Sequence, residues 1–186
     1  DGSDNMGLIP RFMNDIFVSL NQQKEKSCSM LSRSSLSTTH KEEKKDSDVK
    51  QNSGNNNKGY LIDFKASASF LEVYGEEIHD LLDDERKPLP IREDSSGGVV
   101  VVGLTTTSVT NAEDALNLLH VGTLNRTTAA TLMNHTSSRS HAVFTVYLQQ
   151  TTRLDNSAGE SVDVTTSSRF TFVDLAGSER MKKTGA

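Results

Sequence analysis

The run RFTFVDLAGSER at 169–180 constrains the fold more than any other stretch. RFTFV has the make-up of a buried strand, and it stops on an acid, Asp174, with Gly177 three residues further on. A carboxylate at a strand end can hold the water shell of a metal ion. A glycine N–H can approach a terminal phosphate. Earlier in the chain, NHTSSRSH at 134–141 runs straight into a second strand-like run, AVFTVYL. In an open α/β sheet, ligands collect at the carboxyl ends of strands. A lone D-x-x-G is better explained by an aspartate capping the following turn; the hydroxyl-rich second stretch shifts the balance. Ser137 and Ser138 supply hard oxygens of the kind Mg²⁺ prefers. Arg139 and Glu179 give each stretch one charge of opposite sign, placed to form a latch. Exposed, such a pair fixes geometry more than it stabilises.

Around this pair the chain reads as strands alternating with helices, an α/β sheet with long polar hairpins. GLIPRFMNDIFV at 7–18 has helical spacing, with Pro10 suited to a first turn. Residues 19–58 are rich in Ser, Asn and Lys and have no apolar period, which predicts a disordered insertion. A strand is expected at 66–74, followed by a helical turn carrying Ile78, Leu81 and Leu82. The four valines at 99–102, after Gly97 and Gly98, read as a strand buried on both faces. Asn111 with Asp114 resembles a capping box, opening a helix whose apolar face is Ala115, Leu118, Leu119 and Gly122. That helix is expected to reach Leu124, with a further turn or loop in NRTTAATLMN. Strands follow at 142–148 and 169–173, joined through a polar loop at 151–168.

Composition narrows the function classes. The chain has 186 residues, enough for one domain with a sizeable core, and a net charge of −5. That balance makes the whole chain a poor polyanion binder, so no nucleic-acid partner is expected, and an acidic partner must meet a local basic patch. One cysteine, Cys28, excludes an internal disulfide and fits a reducing compartment. No run of about 18 apolar residues suggests a membrane span. No His/Cys/Asp/Glu cluster has metal-ligand spacing. Ser140 and His141 are adjacent, but strand neighbours point to opposite faces, so they do not read as a nucleophile–base pair.

These residues together resemble the kinesin motor domain. NHTSSRSH before AVFTVYL and FVDLAGSER before MKKTGA look like its two switch regions. GLIPRFMNDIF, SFLEVYGEEIHDLL, the valine strand and LNRTTAATLMN resemble successive kinesin segments in the family's order. The likeness spans nearly all of the chain outside 19–58 and 155–167, and its wording is most similar to the chromokinesin-type subgroup. It implies part of the kinesin-type P-loop NTPase fold, a central mixed β-sheet flanked by helices. It implies ATP and Mg²⁺ as ligands, a microtubule as partner and a cytoskeletal setting. By resemblance Ser138 reaches Mg²⁺ and the γ-phosphate, and Ser137 positions the attacking water. Arg139 and Glu179 form the latch, Asp174 holds Mg²⁺ through water, and Gly177 senses the γ-phosphate. Asn134 belongs to the same nucleotide-facing loop, and Arg180, Lys182 and Lys183 to the microtubule side.

One part of the family's pattern is missing. No phosphate-cradling G-x-x-x-x-G-K-[ST] occurs in the chain, and SGNNNKG neither has that order nor follows a strand. In the family this loop lies shortly before the segment matching GLIPRF. The expectation is therefore an internal piece of a motor domain, spanning 1–186, which alone neither hydrolyses ATP nor binds microtubules well. Two other readings stand beside it: a catalytically inactive motor-like binding module, and a different switch-bearing P-loop NTPase.

Overall fold

In the computed structural model, the described residues are 7–36, 58–85, 87–132, 139–155 and 160–177. The helix α1 (Leu8–Leu36) leads into the long strand β1 (Lys58–Tyr74). Then come β2 (Glu77–Asp80), β3 (Ile91–Glu93), β4 (Val99–Val101) and β5 (Thr107–Val109). Helix α2 (Ala112–Leu132) precedes the hairpin of β6 (Ser140–Asp155) and β7 (Ser161–Asp174). The central sheet has the order β2-β1-β6-β7, with β5 also pairing β1. All of these described pairings are antiparallel.

Both helices cover one face of this sheet. Met13 and Phe17 of α1 and Ala115 of α2 are buried with Ala68, Phe70, Ala142, Phe144 and Val146 in one core cluster. Strand alternation explains the selection, because even-numbered residues of β1 and β6 point at the helices here. Phe70 and Phe144 pair across the strands and meet edge to face, with ring centroids 5.4 Å apart. Phe12 of α1 reaches β7, its ring 4.9 Å from Phe170 and 5.1 Å from Phe172. Gly122 is what lets α2 come this close: a Cβ there would lie 2.1 Å from Phe70 Cδ1. Its place on the apolar face of α2 agrees with the expected helix.

The start of α2 also follows from its sequence. The Asn111 side chain accepts the Asp114 N–H at 2.9 Å, as an N-cap should. Asp114 makes only a minor return bond to Asn111. Its shorter side chain takes the N–H and hydroxyl of Thr110 instead, at 2.8 and 2.6 Å. These bonds hold its carboxyl below the usual carboxylate range.

Several expectations are corrected. Residues 19–36, expected to be disordered, continue α1, and the rest of that tract up to residue 57 lies outside the described residues. Leu20 is the reason: it is buried against Leu61 and Leu148, giving the polar half of the helix an anchor. A bulge between Leu61 and Asp63 shifts the phase of β1, so Leu61 and Phe64 both face α1. Lys24 adds an ion pair to Asp63 at 2.8 Å. The expected helical turn at Ile78 is instead strand β2, folded back on β1 by a tight turn in which Gly75 has φ 60°. Its alternation buries Ile78 and Asp80, and Asp80 accepts the Leu82 and Thr105 N–H groups.

The valine strand is not buried on both faces. Among the described residues it pairs only with β3, in a separate two-stranded sheet, leaving Val99 71% and Val100 44% exposed. Helix α2 runs on to Leu132 rather than ending near Leu124. The polar segment at 151–168 largely extends β6 and β7 as a ladder.

Candidate functional site

The described end of one motif stretch and the described start of the other come together because β6 and β7 are neighbours. Ala142 pairs with Asp174, so the start of β6 and the end of β7 lie side by side at one end of the sheet. Asp174 stands at the strand end as expected, with its side chain 73% exposed. Arg139 is exposed just before β6, and Gly177 is exposed three residues beyond β7. Asn134, Ser137, Ser138, Glu179, Arg180, Lys182 and Lys183 lie outside the described residues.

A buried polar cluster lies directly behind Asp174. Arg126 of α2 donates through Nη1 to Asp174 Oδ2 at 2.7 Å and through Nη2 to the Ser140 carbonyl at 2.9 Å. Its Nε lies 3.4 Å from Glu72 Oε1, and both side chains are largely buried. Ser140 donates its hydroxyl to the same Glu72 oxygen at 2.6 Å. One guanidinium therefore ties a β1 acid, the first residue of β6 and the last residue of β7. Asn125 adds a bond from α2 to the Leu81 carbonyl at 2.8 Å. A charge in this position costs desolvation, which its partners offset only while all are present.

Sequence reasoning missed Glu72 and Arg126, though a signal existed. Glu72 is in phase with Ala68 and Phe70, on the apolar face of β1. Arg126 follows Ala115, Leu119 and Gly122 at helical spacing, which also points it at the core. An acid and a base each placed on an apolar face are expected to find one another.

In front of the cluster is an open cleft of about 690 Å³, lined by Leu8, Pro10, Leu119, Arg126, Phe172 and Asp174 among others. The start of α1 thus borders the same region as the end of β7. Among the described residues, no group of three or more His, Cys, Asp or Glu could hold a metal ion. A carboxylate acting through water with hydroxyl partners is not such a cluster, and Asp174, exposed at its strand end, suits that use. Ser140 and His141 are engaged on separate errands: the serine bonds Glu72, and His141 Nδ1 accepts the Ala176 N–H at 3.0 Å.

The kinesin motor domain family model matches residues 1–186. The chain belongs to the kinesin motor domain family. Human kinesin-like protein KIF21A is 44% identical over 146 residues, covering 67% of the chain and 9% of the relative. Rat kinesin-like protein KIF27 is 45% identical over 145 residues, 72% of the chain and 10% of the relative. Human kinesin-like protein KIF7 is 45% identical over 132 residues, 68% of the chain and 10% of the relative. The chain thus spans roughly a tenth of these relatives' length. A solved structure of a fast kinesin, described for its ATPase mechanism and interactions with microtubules, matches at TM-score 0.65 and 29% identity. That match takes in 100% of the chain and 41% of the fast kinesin. The expected kinesin-type α/β fold, a central sheet with helices against it, therefore holds.

Proposed function

We propose that the chain supplies the two phosphate-sensing loops of an ATP-driven microtubule motor. The observation that carries this reading is the Ala142–Asp174 pairing, which brings the strand that follows one motif stretch beside the acid that opens the other. Family membership and the fast kinesin's fold support it. The proposed roles are those the resemblance implies. Ser138 and Asp174 hold Mg²⁺, Asp174 through water, and Asn134 and Gly177 face the nucleotide. Ser137 positions the attacking water, while Arg139 and Glu179 close as a latch. Arg180, Lys182 and Lys183 face the acidic filament. When bound, Mg²⁺ neutralises charge on the terminal phosphates, and positioning with charge stabilisation supplies most of the catalysis.

The residues behind the site have a derivable part in this. Arg126 holds the Asp174 carboxylate at Oδ2, so the acid's orientation is set before any ligand arrives. Glu72 and Ser140 fix Arg126 in turn, so movement at the start of β6 is felt at the end of β7.

The test is ATP turnover, with and without microtubules, by the protein that carries this chain. Microtubule-stimulated turnover is expected there and absent from the purified 186 residues. In that protein Glu179→Ala should leave ATP binding intact and suppress turnover; unchanged turnover would remove the latch. Robust turnover by the 186 residues alone would show that no separate phosphate loop is needed.

A further inference from the structure

The ladder between β6 and β7 ends at the Ala142–Asp174 pair. Two more residues of the same register would set Ala176 opposite Ser140. The register does not continue that far, and the Ser140 carbonyl accepts from Arg126 at 2.9 Å. The chain instead leaves the sheet at Leu175, which is 70% exposed, and the Ala176 N–H turns to Nδ1 of His141 at 3.0 Å. An imidazole, not a strand carbonyl, takes this N–H. Since an N–H points at Nδ1, that nitrogen carries the lone pair, and a neutral ring then has its proton on Nε2.

The two faces of the sheet share the task. Ser140 and Ala142 are buried beneath the helices, so His141 between them belongs to the opposite face. Asp174 is held from the helix side by Arg126, and Ala176 is held by His141. Gly177 is the next residue.

We infer that His141 is a positioning residue for the site: its neutral imidazole fixes Ala176 and so aims the Gly177 N–H. This rests on the reading above, in which Gly177 faces a terminal phosphate. The role belongs to the acceptor at Nδ1, not to the bulk of the ring. Asparagine places an oxygen close to the Nδ1 position, whereas leucine keeps volume without an acceptor.

The experiment compares wild type, His141→Asn and His141→Leu in the protein that carries this chain. In His141→Leu, hydrogen exchange at the Ala176 amide should speed up about tenfold, the size of one lost hydrogen bond. ATP turnover should fall by a similar factor, and His141→Asn should recover most of both losses. Unchanged exchange at Ala176 in the leucine variant, or equal losses in the two variants, would overturn the assignment. Nitrogen NMR of the wild-type histidine decides the matter without any variant. An unprotonated Nδ1 with Nε2–H supports the assignment, and a protonated Nδ1 refutes it. If wild type shows no ATP turnover, the motor reading fails, while the exchange and tautomer results still decide what His141 does.

Discussion

The β6–β7 hairpin carries two arginine–aspartate pairs, one at each end. Near the site, Arg126 of α2 reaches Asp174 at 2.7 Å. Toward the tip, Arg153 meets Asp163 through two bonds at 2.8 and 2.9 Å. The distal pair has the better fork geometry, yet it stands in water. Arg126 is 13% exposed and backs onto Glu72, which is 8% exposed. The ladder is antiparallel at both ends, so backbone pairing does not separate them. What separates them is the helix layer above the proximal end, which removes water from one guanidinium and leaves it around the other.

Removing each charge in turn breaks the comparison most directly. Arg126→Ala leaves Glu72 buried without its cation and should cost about 3–5 kcal/mol, read by urea unfolding. A loss below about 1 kcal/mol would place this cluster in the exposed class. Leu20→Ala removes the anchor where α1 leaves the proximal core, and should cost about 2–5 kcal/mol while fraying the helix beyond it. Hydrogen exchange confined to normal rates past Leu20 would contradict that account. Gly122→Ala pushes a methyl into Phe70, and about 1–3 kcal/mol of destabilisation is expected from overpacking. An unchanged melting temperature would mean that α2 rides freely on the sheet.

Two smaller effects concern exposed acids. The Arg153 guanidinium holds the Asp163 carboxyl below the usual carboxylate range. The hydroxyl and N–H of Thr110 do the same for Asp114. A depressed pKa stabilises the fold above the unfolded carboxylate value and is lost as pH falls through the folded one. Carbon NMR titration should therefore find both acids ionising at lower pH than ordinary aspartates, with a small drop in stability across that window. Arg153→Ala should abolish the shift at Asp163 and leave Asp114 untouched. Its effect on unfolding should be lost at moderate salt, because exposed pairs are screened.

The same contrast explains which parts of the molecule were legible in the sequence. RFTFVD and AVFTVYL alternate strongly, so their strands, and Asp174 at a strand end, could be read directly. The cap at Asn111 and the apolar face through Gly122 were equally local. The valine run misled because four apolar residues describe a strand without saying which sheet it joins. Ile78 misled because its spacing suits a helix until Gly75 turns the chain back on β1. The polar half of α1 looked unable to fold because Leu61 and Leu148, which hold Leu20, are far away in the sequence.

What the sequence determined by itself is local: strand and helix periods, the capping residues, and the two motif stretches that mark the kinesin family. What only the tertiary structure decided is partnership. Arg126 carries no motif signature, and its meaning comes from Glu72, Ser140 and Asp174 arriving on three different strands. His141 becomes an acceptor for Ala176 only because the chain leaves the ladder after Asp174 and turns that N–H toward the ring. Buried polar groups must find partners wherever the fold supplies them, and that supply is set by packing across the sheet.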